Sequence, residues 1–541
     1  MYLDYGATTP VDPEVLAEML PHFTQSFGNP SSRMHSLGWS AGDAVEQARE
    51  RVSRLLGCQP REIYFTSGAT ESNMTALWGL GRAEHARTRR HIVSSPIEHK
   101  SVISCLEALE QQGFAVTRVR PRPDGRTLVE DILDAKRPDT LFVSLMWVNN
   151  EIGVINPLPE LARALKLRFP EVIVHCDATQ AVGKLPVDLG ESPIDLLSLS
   201  AHKLYGPKGV GALFIREAIQ DKIAPVMRGG GQERGVRGGT LNAPGIVGLG
   251  KAAEIAAARL AEDSARIQDL TRRLYGRLCA GFPGVVVNGS MSSRAPGNLS
   301  VAFPGISAER LLKALGEVVA VSSGSACASG SSDVSHVLRG IGLPDELARA
   351  TIRFSVGRPT TVDQIESAAS AILAALATLE PVAPPAPEHE RRDRDDMRLQ
   401  PIGKVVNAVR EPQYIEWRKT LSRVVVDDRW AAALDGLAEY SHVIVVYWMD
   451  QVVGCKLTHV PQANFREVPE VGMFACRCPY RPNPIAVTVA RLLEIDNLEL
   501  IVEGLDAVNE TPVIDIKPYT PQMDGVEGEV RVPGWVDKLV Y

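Results

Sequence analysis

The chain has 541 residues, of which 45% are hydrophobic and 23% are charged, and its formal net charge is −7. These values are ordinary for globular proteins, and the length predicts more than one domain. The acidic balance argues against a broad basic surface for nucleic acid, although a local basic patch is compatible with it. No apolar run approaches the ~18 residues of a membrane helix, and the N-terminus lacks an apolar signal segment, so we expect no membrane contact.

The use of cysteine indicates a reducing compartment. The chain has eight cysteines and no CxxC pair. They are too sparse for a disulfide framework, so we expect a cytoplasmic protein whose thiols act singly. Four cysteines fall in predicted strands, helices or helix ends: Cys58, Cys105, Cys176 and Cys279. The simplest interpretation of these four is that their side chains pack in the interior.

The first part of the chain alternates predicted strands and helices. Apolar, β-branched runs (REIYF, HIVSS, TLFVSLMW, EVIVHCD, DLLSLS and VGALFI) alternate with amphipathic patterns such as SAGDAVEQARERVSRLLG. This alternation predicts an α/β domain with a largely parallel sheet over residues 1–380. The proline-rich and then densely charged segment 381–397 predicts a linker. Strand-like runs with little helical periodicity predict a mostly β domain over 398–541.

The segment TSGATESNMTAL, residues 66–77, follows the first predicted strand and opens a helix. A turn of small residues at a helix N-terminus offers free N–H groups and the positive end of the helix dipole. The hydroxyls of Thr66, Ser67, Thr70 and Ser72 add donors, so the segment predicts a phosphate-binding cup. Taken alone, such a segment is more often an ordinary helix cap.

Two ionisable residues follow later strands. Asp177 ends a strong predicted strand, where ligands bind in open α/β sheets, and its carboxylate can pair with a cationic ring nitrogen. Lys203 comes just past the next strand, and a lysine amine of lowered pKa forms a Schiff base with an aldehyde. In isolation, Asp177 fits a turn equally well and Lys203 is more typical of a solvated lysine. In this order, the cup, the acid and the lysine together indicate pyridoxal phosphate (PLP).

The motifs of the first domain resemble the cysteine desulfurases of the NifS/IscS family, in its group I branch. They run from YLDYGATTP at the start, through SGATESN, EHKSV, VNNEIG, DATQAVGK, SAHKLYGPKG, RGGGQERGVRGGT and SSGSAC, to IRFSVGRPTT at 352–361. The resemblance implies the fold-type-I PLP transferase fold, mostly parallel with a small C-terminal subdomain. It also implies conversion of L-cysteine to L-alanine by a homodimer.

The resemblance also implies roles for individual residues. Lys203 would hold PLP and then act as the base at the substrate Cα, while Asp177 would keep the ring nitrogen protonated. His99, which in isolation is more typical of a buried structural histidine, would stack on the ring and shuttle protons. Arg353 would clamp the substrate carboxylate. Ring hydroxyl and substrate contacts would come from Asn150 and Gln180, phosphate contacts from Thr70, Ser200 and His202, and a contact with the partner subunit's phosphate from Thr240.

The run SSGSACASG, residues 322–330, surrounds Cys327 with serine, glycine and alanine alone. Little side chain to bury and high backbone freedom predict a loop that carries a thiol. By resemblance, the Cys327 thiolate would take the substrate sulfur as a persulfide and pass it to a sulfur-acceptor protein or scaffold. The long loop disfavours a selenocysteine lyase or another aminotransferase-like reaction. No resident metal is expected, and a transient iron–sulfur ligand role for Cys327 stays open.

The second domain contains three notable strings, LDGLAEYSHVIVVYWMD, FACRCPYRPNPIAVTVARL and GLDAVNETPVIDIKPYTP. It has no GxGxxG loop, which argues against a Rossmann methyltransferase or dehydrogenase. Cations near Asp515 fit either a charged-ligand site or an ordinary surface network. The strings RPNPI and TPVIDIKPY resemble the TsaA-like family, also called TrmO, which implies a small β-barrel that binds S-adenosylmethionine (SAM) and methylates tRNA. Methyl transfer needs positioning groups only, and the candidates are Arg477, Asn483, Asp515 and Lys517.

The second domain departs from that family around the expected cofactor site. Cys476 and Cys478 replace hydroxyl residues of the usual FATRSP string, and Ala486 replaces a glycine. The two cysteines fit a thiol relay, a metal site or simple packing. Two hypotheses for the whole chain follow: a desulfurase fused to a SAM-dependent methyltransferase that serves tRNA or thio-metabolite modification, or a desulfurase whose C-terminal domain only binds tRNA or a sulfur acceptor.

Overall fold

The computed structural model describes residues 1–323, 334–379, 399–411, 416–452, 455–461, 468–526, 528 and 530–536. The chain divides into two compact units, Met1–Pro387 and Glu388–Tyr541. Cys327 and the segment 381–397, for which the sequence predicts a mobile thiol loop and a linker, lie outside the described residues.

The first unit is built on a seven-stranded sheet in the order β1-β7-β6-β5-β4-β2-β3. Its strands are β1 (Ile63–Thr66), β2 (His91–Ser94), β3 (Ala115–Arg118), β4 (Thr140–Ser144), β5 (Ile173–Asp177), β6 (Leu196–Ser200) and β7 (Gly211–Ile215). β7 runs antiparallel to both of its neighbours, and all the other pairs are parallel. The predicted, mostly parallel sheet is therefore confirmed.

Helices cover both faces of this sheet. They are α1 (Pro13–Met19), α2 (Pro21–Thr24), α3 (Ser36–Leu56), α4 (Ala69–Arg82), α5 (Lys100–Gln111), α6 (Val129–Asp134), α7 (Leu158–Arg168) and α8 (Ala243–Gly281). Alternate strand residues point to opposite faces. Phe65 and Val174 pack with α3, α7 and α8, whereas Tyr64 and Ile173 pack with α4 and α5. Burial on both faces explains why the strands are continuous apolar runs in the sequence.

A smaller antiparallel sheet completes the first unit. Its order is β10-β11-β9-β8, with β8 (Val286–Val287), β9 (Asn298–Ala302), β10 (Ser322–Ser323) and β11 (Thr351–Ser355). The accompanying helices are α9 (Ala308–Leu315), α10 (His336–Gly340), α11 (Asp345–Arg349) and α12 (Val362–Thr378). Residues of β9, β11, α9 and α12 share one apolar core. This subdomain positions Arg353, which lies in the middle of β11.

The second unit is a closed antiparallel barrel in the order β12-β13-β18-β17-β14-β19. Its strands are β12 (Gly403–Val406), β13 (Leu421–Val426), β14 (His442–Trp448), β17 (Ile485–Asp496), β18 (Glu499–Glu503) and β19 (Pro512–Pro518). A separate pair, β15 (Thr458–His459) and β16 (Val471–Gly472), and the short helix α13 (Pro521–Asp524) accompany the barrel. Val443, Val445 and Tyr447 alternate into its core, which confirms the predicted small β domain. Across the described residues of both units, no helix is long and apolar enough to span a bilayer.

Candidate functional site

A cavity of about 520 Å³ in the first unit collects residues from distant parts of the sequence. Asp177 and Ser200 reach it because β5 and β6 are neighbouring parallel strands that end there. Nine residues that the sequence analysis proposes for cofactor or substrate line its wall: Thr70, His99, Asn150, Asp177, Gln180, Ser200, His202, Lys203 and Arg353.

Lys203 lies in a single turn of 3-10 helix directly after β6. Its Nζ donates to the carbonyl oxygens of Gly6 at 2.7 Å and Ala7 at 2.5 Å. The N-terminal string YLDYGATTP therefore holds the amine against the cavity. His202 Nδ1 lies 3.1 Å from Thr8 Oγ1, and burial together with Lys203 and other cations lowers the pKa of His202 to about 4. The imidazole of His202 is consequently neutral at pH 7.

Asp177 is a buried carboxylate with fixed geometry, 5% exposed. Oδ2 accepts from Asn73 Nδ2 at 2.8 Å, and Oδ1 accepts from the backbone N–H of Thr179 at 3.0 Å. Asn73 also donates to Ser101 Oγ at 2.9 Å, so one amide braces Asp177 and the start of α5. Asn73 has no role among the predictions from the sequence, although a polar residue on the buried side of a predicted helix was a usable signal.

His99 caps the N-terminus of α5 and faces the cavity. Its Nδ1 accepts the Ser101 backbone N–H at 3.2 Å and lies 2.8 Å from Ser101 Oγ. Burial lowers the pKa of His99, and Lys203 acts in the same direction while Asp177 opposes it. A neutral ring whose Nδ1 accepts must carry its proton on Nε2. His99 can therefore offer a flat neutral face and one N–H donor.

The N-terminus of α4 forms another part of the cavity wall. Gly68 precedes it with a φ of 152°, which favours glycine, and no side chain caps the helix. Of the four hydroxyl groups predicted for the phosphate cup, only two line the cavity. Thr66 Oγ1 and Ser72 Oγ bond with each other at 2.8 Å inside the protein, whereas Ser67 and Thr70 line the cavity. The N–H groups at the start of α4, which no side chain caps, offer hydrogen-bond donors to an anion.

Arg353 enters the cavity from the small sheet with a side chain that is 5% exposed. Its guanidinium donates to Asp4 Oδ1 and to the carbonyl oxygen of Asn150, both at 2.9 Å. Its Nε is buried and has no hydrogen-bond partner among the described residues. A buried donor without a partner is costly unless a ligand accepts from it. One donor of the Arg353 guanidinium group is therefore unused by the described residues.

A second lysine, Lys184, lies beside the cavity. Its Nζ donates to Gln180 Oε1 at 2.6 Å, and Gln180 Nε2 donates to the carbonyl oxygen of Gly6 at 2.9 Å. Burial, together with Lys203 and Arg353, lowers the pKa of Lys184 to about 7. Lys184 thus fixes which end of the Gln180 amide is the donor. The string DATQAVGK contained Lys184, but its position in the sequence gave no indication of this contact.

Among the site residues that the resemblance predicts and that the structure describes in the first unit, Thr240 alone stands apart from this cavity. Thr240 is exposed, lies in the loop before α8 and does not line the cavity of its own chain. Arg237, in the same loop, donates to Glu71 Oε1 of α4 at 2.7 Å and so ties the loop to the wall of the cavity. Cys327 falls outside the described residues.

The four predicted site residues of the barrel are all at least partly exposed. Lys517 and Asp515 form an exposed ion pair at 2.5 Å. Arg477, also exposed, interacts with Asp506 and Tyr447, and Asn483 is exposed in the loop before β17. Arg481 donates to main-chain carbonyls of its own loop. These contacts favour the surface-network interpretation of the cations.

Metal binding finds no support within the described ranges. There, no group of three or more His, Cys, Asp or Glu side chains is arranged to hold a metal ion. The metal-site interpretation of Cys476 and Cys478 therefore has no ligand set in the described part of the barrel.

Comparison with known proteins gives the family of the first unit. Residues 1–367 match the model of the aminotransferase class-V family. The cysteine desulfurase IscS of Anaeromyxobacter dehalogenans is 47% identical over 368 residues, which are 68% of this chain and 90% of that protein. The chain belongs to the cysteine desulfurase family. The resemblance seen in the sequence is thereby confirmed.

Solved structures agree with this membership. A NifS-like protein matches with a TM-score of 0.66 and 37% identity, covering 70% of this chain and 100% of its own. SspA in complex with cysteine matches with a TM-score of 0.59 and 36% identity, covering 66% of this chain and 98% of its own. The expected fold-type-I PLP transferase fold is confirmed.

The barrel matches a different family model. Residues 407–525 fit the model of the tRNA-methyltransferase O N-terminal domain. This match and the closed six-stranded topology agree with the resemblance based on RPNPI and TPVIDIKPY.

Proposed function

We propose that the first unit is a PLP-dependent cysteine desulfurase that converts L-cysteine to L-alanine and retains the sulfur as a persulfide on Cys327. The observation that carries this proposal is the single cavity, which unites the Lys203 amine, the Asp177 carboxylate and the uncapped N-terminus of α4. These groups fit an aldehyde, a pyridine nitrogen and a phosphate, the three functional groups of PLP. When bound, PLP supplies an electron sink for chemistry at the substrate Cα.

The residues of the cavity divide the remaining work. Lys203 would hold the aldehyde group of PLP, and its Nζ would serve as the base for the proton at Cα. Asp177, fixed by Asn73, keeps the ring nitrogen protonated. His99 would hold the ring with its neutral face and would keep its Nε2–H as a donor. Arg353 binds the substrate carboxylate, and its buried Nε without a partner supports this role.

We also propose contacts with a second copy of the chain and with a sulfur acceptor. The enzyme acts as a homodimer in which Thr240 reaches the phosphate site of the partner subunit, and the exposure of Thr240 supports this contact. The persulfide passes to a sulfur-acceptor protein or scaffold, for iron–sulfur clusters or for tRNA or thio-metabolite modification. Sparse cysteines favour a reducing, cytoplasmic setting.

The Cys327 thiol gives the sharpest test of the reaction class. With L-cysteine and a reductant, Cys327→Ser should keep the PLP absorbance of the wild type and lose alanine formation by at least about 10²-fold, because the nucleophile is missing. Cys455→Ser, a change at an exposed thiol of the barrel, should form alanine at the wild-type rate. Full alanine formation by Cys327→Ser would contradict the persulfide mechanism and favour a selenocysteine-lyase type of reaction.

For the barrel, we propose SAM-dependent methyl transfer to tRNA or to a thio-metabolite. The match of residues 407–525 supports this function, and exposed Arg477, which interacts with the carboxyl of Asp506, is the candidate SAM contact chosen for the test. A second candidate, binding of tRNA or a sulfur acceptor without chemistry, is favoured by the exposed ion pair that Asp515 and Lys517 form with each other.

Calorimetry of the full chain with SAM separates these two functions. Methyl transfer predicts saturable heat and about tenfold weaker binding by Arg477→Ala, a loss of about 1.4 kcal/mol. Lys404→Ala, a change at an exposed lysine of the barrel, is the matched control. If SAM produces no heat with the wild-type protein, methyl transfer is contradicted and the binding function is supported. The next ligand to titrate is then tRNA.

A further inference from the structure

An ion pair lies at the end of the cavity where α4 begins. The Nε of Arg237 donates to Glu71 Oε1 at 2.7 Å, and a second nitrogen of the guanidinium donates to Oε2 at 3.5 Å. The two side chains are only 18% and 16% exposed. Glu71 lines the cavity, and Arg237 reaches it from the loop before α8. The ion pair therefore joins the cavity wall to that loop.

Two backbone N–H groups just before α4 are already used within the protein. Ser67 donates to Glu71 Oε2 at 2.7 Å, and Gly68 donates to Thr66 Oγ1 at 3.3 Å. The first three N–H groups of α4 itself have no acceptor within the helix, because the helix begins there. An anion at this end of the cavity would bind to these three groups. It would then lie close to Glu71, which is the third residue of α4.

Glu71 carries a negative charge at neutral pH. Burial raises the pKa of its carboxyl, but the hydrogen bonds from Arg237 and Ser67 outweigh burial and lower this pKa below its usual value. A carboxylate at a helix N-terminus stabilises the helix, and it also competes with any other anion for the same positive end. Like charges repel more strongly in a partly buried site than in water. Without Arg237, Glu71 would therefore oppose the binding of a phosphate group.

The main chain around Arg237 is held in place. Met227 and Arg237 pair in a short β-bridge, and the Gly238 N–H donates to the carbonyl oxygen of Met227 at 2.9 Å. The Gly239 N–H donates to Gln232 Oε1 at 3.0 Å. The guanidinium of Arg237 therefore extends from a fixed backbone, which allows it to hold the Glu71 carboxylate in one position.

We propose that Arg237 is a positioning residue of the phosphate site, which acts through Glu71. Arg237 neutralises and holds the Glu71 carboxylate, and a phosphate group can then bind at the start of α4 without repulsion from Glu71. An ion pair that only held the loop in place would have no such effect on the charge of the site.

This inference rests on the proposed function, because it takes PLP as the ligand of the cavity. It adds a role for two residues that the assignment of the cavity does not use. The experiment measures binding of PLP without L-cysteine, and its outcome is therefore independent of the reaction at the substrate Cα.

The test measures the dissociation constant of PLP for the PLP-free, full-length protein by equilibrium dialysis. Arg237→Met should weaken PLP binding by at least about tenfold, because Glu71 is then an unpaired negative charge beside the phosphate. Combining Glu71→Gln with Arg237→Met should restore binding to within about threefold of the wild type, because the repelling charge is gone. Arg228→Met, a change at an exposed arginine of the same loop, should bind PLP as the wild type does. Pyridoxal, which lacks the phosphate, should bind equally to the wild type and to Arg237→Met.

Two results would overturn the inference. One is wild-type affinity for PLP in Arg237→Met. The other is a double variant that binds PLP as weakly as Arg237→Met, which would show that the ion pair only holds the loop. Melting curves of the PLP-free proteins verify folding, and Arg237→Gln replaces Arg237→Met if folding is lost. Affinities in the predicted order, with no alanine formed from L-cysteine by the wild type, would contradict the proposed function alone.

Discussion

The cavity of the first unit and the surface of the barrel use the same kinds of side chain in different surroundings. In the cavity, Asp177 and Arg353 are almost fully buried and each makes at least two hydrogen bonds. On the barrel, Asp515 and Lys517 are exposed and bond with each other. Buried charges must have fixed partners, whereas an exposed ion pair is worth little and rearranges readily. The geometry of the cavity therefore predicts chemistry more sharply than the geometry of the barrel.

Replacing the cavity lysine should have the largest effect. Lys203→Ala removes both the covalent anchor for PLP and the base at Cα, so alanine formation should fall by at least about 10³-fold. Lys208→Ala changes an exposed lysine on the wall of the same cavity and should lower alanine formation by less than about tenfold. Equal losses in the two variants, measured as alanine released from L-cysteine, would remove the special role of Lys203.

Arg353→Lys should act mainly on substrate binding. A lysine cannot reproduce the fork that contacts Asp4, Asn150 and a carboxylate, and charged hydrogen bonds contribute about 1.5–3 kcal/mol each. We expect KM for L-cysteine to rise about 10- to 10²-fold, with a smaller change in kcat. The control is Arg349→Lys, at an exposed position of α11. An unchanged KM in steady-state kinetics would show that the carboxylate binds elsewhere.

Lys184 predicts a pH dependence of stability. Its pKa is about 7 in the folded protein against an ordinary 10.5, so between these values the unfolded chain binds more protons and stability rises with pH. Lys184→Met removes this dependence. The melting temperatures of the PLP-free variant and the PLP-free wild type are measured at two pH values. The difference in favour of the variant should be larger at about pH 6 than at about pH 9. Parallel pH profiles for Lys184→Met and wild type would contradict the lowered pKa.

The smallest effect is expected on the barrel. Lys517→Ala breaks an exposed ion pair and should change the free energy of unfolding by less than about 1 kcal/mol. Hydrogen exchange of the barrel amides in the full chain measures this change without interference from the first unit. A loss of several times that size would show that the pair holds the barrel together, and the contrast between the two regions would disappear.

The sequence predicted the fold and most of the cavity because both follow from local patterns. Buried parallel strands are continuous apolar runs, and Asp177 and Lys203 follow directly from strand ends. Asn73 and Lys184 were missed because their partners lie far away in sequence and are set by tertiary packing. Thr66 and Ser72 were assigned to the cup because hydroxyl chemistry alone does not say which way a side chain points. The barrel surface was harder to predict because exposed residues have few constraints on their geometry.

The most direct test of the central claim is the product of L-cysteine on the purified full-length protein. Alanine is quantified, and the peptide that contains Cys327 is weighed by mass spectrometry before any reductant is added. We predict that alanine forms and that the Cys327 peptide gains the mass of one sulfur atom. If PLP is bound but no alanine forms, or if alanine forms while Cys327 stays an unmodified thiol, the cavity does not support the desulfurase reaction proposed for it.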